Sequence, residues 1–181
     1  MRLPRKTDGD KVTRNPRIQI NNRLLAALPE DELQRLVPNM EPVSLTLGEV
    51  LYKAGEAVRH VYFLDQITLA SLLSTMEDGT SVEIGVVGNE GMVGIQSIMR
   101  AETTPHRVVV QLPGLALRMR ADMLREEFNR AGVLQDLLLR YTHALFTQIS
   151  QTAACNHLHT VEERLSRWLL TRLCCKNCPR V

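Results

Sequence analysis

Residues 78–94 read Asp78-Gly79-Thr80-Ser81-Val82-Glu83-Ile84-Gly85-Val86-Val87-Gly88-Asn89-Glu90-Gly91-Met92-Val93-Gly94, which joins a hairpin, a strand and a glycine-rich turn. Asp-Gly between two runs of β-type residues is the strongest short-range hairpin signal, since both central positions of the tight turn need positive φ. The sequence therefore predicts paired antiparallel strands over residues 69–76 and 80–87.

The turn that follows contains three glycines at a spacing of three: Gly88, Gly91 and Gly94. Glycine lets a backbone turn left-handed or approach a ligand closely. A short helix is predicted next, from the apolar residues Met92, Val93, Ile95 and Ile98. A helix N-terminus behind such a turn favours anions through its free N–H groups and its dipole. We expect an anion site here, and the alternative is a turn without a ligand.

Further strands are predicted on both sides of this stretch. Val43, Leu45 and Leu47 alternate with polar residues, which is the period of a half-buried strand. Other strand segments are 60–64, 107–112 and 115–119, with turns at Ala54-Gly55-Glu56 and Pro113-Gly114. Many short strands separated by Gly and Pro predict a sandwich or jelly roll. The fold class is therefore α+β, an antiparallel β-roll with flanking short helices and a long C-terminal helix.

Helical patterns precede and follow the roll. Residues 22–37 predict two short helices split by Pro29, and residues 121–130 predict another. A long helix is predicted over residues 131–156, with Leu134, Leu138, Tyr141, Leu145 and Gln148 at alternating steps of four and three. That spacing predicts a coiled-coil seam and a partner helix. Packing on the core of its own domain is the alternative.

One more helix is predicted from His159 to Leu173. It opens with a capping box of Thr160 and Glu163. Its predicted buried face consists of Val161, Leu165, Trp168, Leu169 and Leu173. Because the chain stops soon after Leu173, this apolar face implies a missing partner.

Length, charge and hydropathy limit the class of protein. The 181 residues fit one domain, and no apolar run approaches the length of a membrane span. The first 23 residues hold seven basic and two acidic side chains, so they carry +5 and the remainder of the chain carries −3. Residues 1–21 are predicted to be a disordered, solvated basic tail. The mildly acidic body has no electrostatic footprint for nucleic acid, and we expect a cytoplasmic protein without a signal peptide.

The sequence gives little support for a metal site or for an enzyme active site. Cys175 and Cys178 have the spacing of a zinc pair, yet no second pair precedes them. His157 and His159 have the spacing of a cupin-type metal pair but fall in a predicted helix. No nucleophile with a partnering histidine is recognisable. We therefore expect no metal site, no catalytic residue and no enzyme activity.

The order of these parts resembles the Crp/Fnr family of bacterial regulators, over about residues 22–173. The matching residues are Gly48-Glu49-Val50-Leu51-Tyr52, Gly55-Glu56, Val61-Tyr62-Phe63, Glu77-Asp78-Gly79, Val82-Glu83, Gly88 to Gly94, Pro113-Gly114 and Glu163-Arg164-Leu165. The resemblance implies a cyclic-nucleotide-binding-type roll, a helix that forms a two-fold dimer, and a winged helix-turn-helix that reads DNA. Residues after Leu173 do not resemble a recognition helix, so residues 157–181 are expected to be the first helix of a truncated DNA-binding domain and a cysteine-containing tail.

The resemblance also implies candidate effector-binding residues. In nucleotide-binding members a glycine–glutamate pair binds the ribose, and an arginine followed by a small hydroxyl residue binds the cyclic phosphate. Here the turn with Gly88, Glu90, Gly91 and Met92 fits the first role, and Arg107 fits the second. Val108 stands where the hydroxyl residue is expected, so a cyclic nucleotide, another small anionic effector and no effector all stay open.

Two cofactor branches of the family are discounted. The iron–sulfur type needs cysteines near the N-terminus, and none precedes Cys155. A haem type needs axial ligands, and His60 and His106 lack a partner motif. The predicted function is thus an effector-sensing homodimer that contacts DNA only through a missing domain. The alternatives are a partner that inhibits a full-length paralogue and a cupin-type metal enzyme.

Overall fold

The structure is a computed structural model that describes residues 20–101 and 103–177. The predicted basic tail falls outside these residues, apart from Ile20 and Asn21. The side chains of Cys174, Cys175 and Cys178 also fall outside what is described. The predictions for the tail and for these cysteines therefore stay predictions.

Two sets of elements make up the described part of the chain. The strands are Met40–Leu45 (β1), Val50–Tyr52 (β2), His60–Leu64 (β3), Leu69–Thr75 (β4), Ser81–Val87 (β5), Met92–Val93 (β6), Arg107–Leu112 (β7) and Gly114–Arg120 (β8). The α-helices are Arg23–Ala26 (α1), Glu30–Leu36 (α2), Ala121–Phe128 (α3), Val133–Leu158 (α4) and Val161–Asn177 (α5). Short 3-10 helices cover Val37–Asn39 and Ile95–Met99.

The strands form two four-stranded antiparallel sheets, with the orders β1-β8-β3-β6 and β2-β7-β4-β5. Each sheet pairs strands that are distant in the chain: Val61 of β3 lies opposite Met119 of β8, and Leu69 of β4 lies opposite Leu112 of β7. Such crossed connections are those of a rolled sandwich rather than of a meander. The predicted antiparallel β-roll with flanking short helices and one long helix is confirmed.

The core lies between the sheets and extends to the helices. Phe63 and Met92 from the roll, Leu25 from α1 and Leu138 from α4 are all 0% exposed and belong to one cluster. Full burial of each such side chain stabilises the fold by about 1.5–3 kcal/mol. The first half of α4 is therefore part of the core of the roll.

The hairpin between β4 and β5 uses a different turn from the predicted one. Gly79 has a φ of +85°, whereas Asp78 is absent from the residues with positive φ. Gly79 N–H donates to Met76 O at 3.0 Å, and Met76 N–H donates to Thr80 O at 2.8 Å. This is a type I turn with a glycine bulge, which needs only one left-handed residue. The hairpin itself is confirmed, and the expectation of two positive φ values is wrong.

Two element boundaries also differ from the sequence prediction. Met92 and Val93 form a strand that pairs with β3, so the helical turn begins only at Ile95, after Gly94 with its φ of +97°. Strand β1 includes Pro42, which a strand tolerates because β1 is at the edge of its sheet.

The start of α4 is held by a carboxylate from α2. Glu32 is only 9% exposed, and its Oε1 and Oε2 accept the backbone N–H groups of Val133 at 2.9 Å and Leu134 at 2.8 Å. These N–H groups have no partner within the helix, and a negative charge there also suits the helix dipole. Glu32 therefore fixes where α4 leaves the roll.

Helix α5 begins as predicted but does not bury its apolar face in this chain. Thr160 N–H donates to Glu163 Oε2 at 2.9 Å, as a capping box requires. Val161 is 66% exposed, and Leu165, Trp168 and Leu169 are all more than two-fifths exposed. Within the described part of the chain these four residues therefore lack the cover that the sequence analysis expects from a missing partner. None of the helices described there has the length and apolar character that crossing a membrane requires.

Candidate functional site

The turn between β5 and β6 contains four of the five residues predicted for effector binding. Gly88 directly follows β5, and Met92 is the first residue of β6. Gly91 N–H donates to Gly88 O at 3.3 Å and closes the turn. Because β5 and β6 belong to different sheets, this turn connects the two halves of the roll.

Glu90 supplies this turn with a negative charge of its own. Its Oε1 accepts the backbone N–H of Gly88 at 2.8 Å. Backbone N–H groups in such a turn attract anions, and here the anion is a side chain of the same turn. Glu90 also lines a cavity together with Arg23 and Arg140. An external anion at Gly88 would have to displace Glu90.

Helix α4 covers the turn through Tyr141. Tyr141 Oη donates to Met92 O at 2.8 Å, and a Cβ placed on Gly91 would lie 2.6 Å from Tyr141 Cζ. Only a residue without a side chain lets the ring approach so closely. Burial raises the pKa of Tyr141 well above its usual value, so the phenol stays protonated and donates its hydrogen bond.

Asn22, which the sequence analysis did not single out, attaches α1 to the same turn. The side chain is 2% exposed, and its Nδ2 donates to Gly91 O at 2.7 Å and to Leu64 O at 2.9 Å. Its Oδ1 accepts the N–H groups of Leu24 and Leu25, both at 3.1 Å. An asparagine before two leucines is typical of a helix N-cap. That signal was available in the sequence, whereas the two distant carbonyls were not.

Arg107, the fifth predicted effector residue, lies apart from the turn. Val87 pairs with Ala70, which pairs with Val110, so Arg107 is two strands across and three residues along from the end of β5. Strand spacing and rise make this separation about 14 Å. Arg107 is exposed and makes no ion pair among the described residues. Val108 faces the opposite side of β7 and is buried in the core.

The residues predicted for dimerisation face the roll of their own chain. Leu134 and Leu138 are 2% and 0% exposed, and Leu145 packs against the same core. Gln148 Oε1 accepts the N–H of Val86 at 3.3 Å, while Tyr141 covers the turn. A heptad spacing identifies an apolar stripe but not the body that the stripe faces. Leu134 and Leu138 therefore belong to the core, whereas Tyr141, Leu145 and Gln148 stay partly exposed.

Two cavities border α4. The first, of about 620 Å³, lies between α1, the turn and α4 and includes Glu90 and Tyr141. The second, of about 650 Å³, lies between β5, the second half of α4 and the start of α5. Both volumes fall in the range of small-molecule sites, about 300–1,000 Å³.

The second cavity has a polar network at its base. Glu83 of β5 lines the cavity, and its Oε2 accepts hydrogen bonds from Ser71 Oγ at 2.5 Å and Gln111 Nε2 at 3.1 Å. Ser71 is 0% exposed. Neighbouring strands β4 and β7 thus hold the Glu83 carboxylate in one orientation, which is a feature of a built site rather than of a solvated surface.

The two histidines considered as metal ligands lie outside the roll. His157 is in the last turn of α4 and His159 follows the helix, both exposed. In the stretches 20–101 and 103–177, no three His, Cys, Asp or Glu side chains are placed to hold a metal ion. His157 and His159 therefore do not lie on strands of the roll, where a cupin-type metal site would require its ligands.

Comparison with known proteins agrees with the fold. Residues 42–131 match the family model of the cyclic nucleotide-binding domain. No curated protein matches the sequence significantly.

Solved structures with the same fold come from several kinds of regulatory protein. The N-terminal domain of a transcriptional regulator from Streptomyces coelicolor A3(2) is 20% identical, with a TM-score of 0.54 over 75% of this chain and 95% of that one. FixK2 from Bradyrhizobium japonicum is 13% identical, with a TM-score of 0.64 over 73% and 65%. The regulatory subunit of a cAMP-independent protein kinase A from Trypanosoma brucei is 15% identical, with a TM-score of 0.58, and the chain covers 68% of itself and 44% of that subunit.

Proposed function

We propose that this chain is the effector-sensing and dimerisation module of a Crp/Fnr-type transcription regulator. The cyclic nucleotide-binding domain and its likeness to structures of regulators support the sensing part. The matched family and the structural neighbours named above are regulatory domains. The proposal combines a small-molecule site in the roll with a helix that carries the signal to a partner.

The observation that carries the proposal is the contact between the β5–β6 turn and α4. The turn touches both sheets, and it is tied to α4 by the Tyr141 hydrogen bond and to α1 by the Asn22 hydrogen bonds. A ligand that shifts the turn by even 1 Å must change the position of Tyr141, because the ring lies directly on Gly91. Packed contacts of this kind switch between discrete arrangements and do not deform continuously. This junction is a means of coupling the roll to α4.

The effector we propose is a cyclic nucleotide or another small anion. Arg107 supports this because its guanidinium is exposed and unpaired among the described residues, and guanidinium groups match phosphate oxygens. Glu90 already accepts the N–H of Gly88, so this N–H is not available to an effector. The turn of residues 88–92 therefore contributes chiefly by holding α4.

The dimer we propose forms through the outer face of α4. Leu139 and Phe146 are 52% and 68% exposed, and together with Ala153 they repeat every seven residues. A repeat of seven is the spacing of a two-helix seam, and here the stripe is free of the roll. The partner helix therefore belongs on this face rather than on that of Leu138.

A thermal-unfolding screen tests the sensing part. Cyclic AMP, cyclic GMP and cyclic di-GMP are added separately to the purified chain, and to the variant R107Q. A ligand at 100 times its Kd stabilises the folded state by about 2.7 kcal/mol, which raises Tm by roughly 5–10 °C in a chain of this size. A saturable rise with one of them supports the proposal, and its loss in R107Q assigns the anion contact. No rise with any of them contradicts the sensing of a nucleotide.

A further inference from the structure

The cavity between α1, the β5–β6 turn and α4 brings three charged side chains together. Arg23 lines it from α1, Arg140 from α4 and Glu90 from the turn, around a volume of about 620 Å³. The backbone N–H of Arg23 donates to Asn89 O in the turn at 2.7 Å. Arg140 directly precedes Tyr141, whose ring lies on the same turn. Contacts with one turn therefore position all three charges.

These charges do not pair with one another. Arg23 and Arg140 are exposed, and their guanidinium groups make no hydrogen bond or ion pair within the described stretches. Glu90 Oε1 accepts the N–H of Gly88 at 2.8 Å, whereas Glu90 Oε2 has no hydrogen-bond partner in that part of the chain. Two cations and one anion thus line one cavity, each with capacity for a further partner. A ligand with a carboxylate and an ammonium group can pair with all three.

The rest of the lining is largely apolar. Leu24 of α1 is 6% exposed, and Leu137 and Leu145 of α4 are partly buried and pack against the core. An apolar lining with a few placed polar groups is typical of small-molecule sites. Apolar groups of a ligand gain free energy when they are buried against such leucines. The cavity therefore favours a zwitterion with an apolar body.

We propose that this cavity binds a free α-amino acid with an apolar side chain. The carboxylate pairs with Arg23 and Arg140, the ammonium group pairs with Glu90, and the side chain packs on the leucines. A carboxylic acid without an amino group leaves Glu90 unpaired, and an amine without a carboxylate leaves both guanidinium groups unpaired. The inference goes beyond the proposed function, because the cavity is separate from Arg107. A bound amino acid joins α1, the turn and α4, and so fastens α4 to the roll.

Calorimetric titration of the full chain tests this assignment, with Tm measured in parallel. The first probes are L-leucine, L-phenylalanine and L-glutamate. We expect saturable binding of leucine or phenylalanine, and binding of glutamate that is about 10-fold weaker or more, because its charged side chain loses its hydration against the leucines.

Analogues that lack one charged group follow for the apolar amino acid that binds more tightly. They are isocaproate and isoamylamine for leucine, or hydrocinnamate and phenethylamine for phenylalanine. Each analogue loses a charge-assisted contact and should bind about 10-fold more weakly or worse than the amino acid. These comparisons use the wild-type chain and do not depend on the folding of any variant.

Two variants separate the roles of the charged groups. E90Q keeps an oxygen for the N–H of Gly88 and should weaken the amino acid about 10-fold or more, but not the analogue without the ammonium group. R140Q should weaken the amino acid and that analogue, but not the amine. R59Q is the control, because Arg59 is exposed and lies before β3, about 16 Å along the strand from the end that meets the turn.

Four results overturn the inference. They are no saturable binding of leucine or phenylalanine, glutamate that binds as tightly as they do, analogues that bind as tightly as the amino acid, and R59Q that weakens binding as much as R140Q. Unaltered circular dichroism and Tm without ligand show that the variants fold. The nucleotide screen is a separate measurement, so a failure here leaves the proposed sensing function standing.

Discussion

Replacing Gly91 with alanine should loosen α4 from the roll. The new Cβ would lie 2.6 Å from Tyr141 Cζ, about 1 Å inside the optimal carbon–carbon separation. The ring must move by that amount, which costs about 1–3 kcal/mol of packing. The movement also weakens the hydrogen bond from Tyr141 to Met92 O, worth about 1 kcal/mol. We expect G91A to lower the free energy of unfolding by about 2–4 kcal/mol.

A double-mutant cycle in urea, followed by circular dichroism, separates this clash from other effects. In a Tyr141→Ala background the ring is absent, so G91A should cost less than about 0.5 kcal/mol, and the coupling energy should be about 2 kcal/mol or more. Y141F should cost about 1 kcal/mol because only the hydrogen bond is removed. Gly79→Ala is the control: no atom lies within 4 Å of its Cβ, and its cost of about 1 kcal/mol from positive φ should not depend on Tyr141. Equal costs of G91A in both backgrounds would refute the proposed contact.

Three further perturbations follow from the same contacts. E32Q removes one of the two acceptors at the start of α4, so it should lower the free energy of unfolding in urea by about 1–2 kcal/mol. The exposed E30Q, also on α2, should lower it by less than about 0.5 kcal/mol, and equal costs would refute the cap. Burial raises the pKa of Tyr141. The protonated phenol therefore stabilises the fold fully below the unfolded pKa of about 10, and this stabilisation is lost as the pH rises above that value. In Y141F the free energy of unfolding should fall less steeply with rising alkaline pH, and an unchanged slope would refute the assignment. L138A should destabilise the fold by about 2–5 kcal/mol without changing a dimer dissociation constant, and the reverse pattern in sedimentation would place Leu138 at the interface.

The β-roll could be predicted from the sequence because its signals are local. Alternation with period two and the Gly and Pro residues between strands placed β3 and β7 at their observed bounds. The resemblance to Crp/Fnr regulators then gave the order of the parts. Strand β6 was missed because two residues carry no period, and only pairing with β3 makes Met92 and Val93 a strand.

The candidate site was harder to predict because it depends on distances through space. Gly91 was identified as a close-approach glycine, yet its neighbour is Tyr141 of the same chain rather than a ligand. The heptad positions of α4 were found, but a stripe does not reveal which body it faces, and Leu138 lies in the core. The resemblance assigns Arg107 and the turn to one binding site, but the pairing of β5 with β4 and of β4 with β7 places them two strands apart. Asn22 could not be recognised as a link because its two carbonyl partners are 42 and 69 residues away.

Sedimentation velocity of the wild-type chain and of F146E tests the central claim most directly, because it asks whether α4 of a sensing roll pairs with a second copy. The chain has a mass of 20.5 kDa, so the dimer has twice that mass. The account predicts the dimer for the wild type at micromolar concentration. It predicts a folded monomer for F146E, with an unchanged circular dichroism spectrum, since Phe146 is 68% exposed in one chain. A wild-type chain that sediments as a monomer, or an F146E variant that stays dimeric, would contradict it.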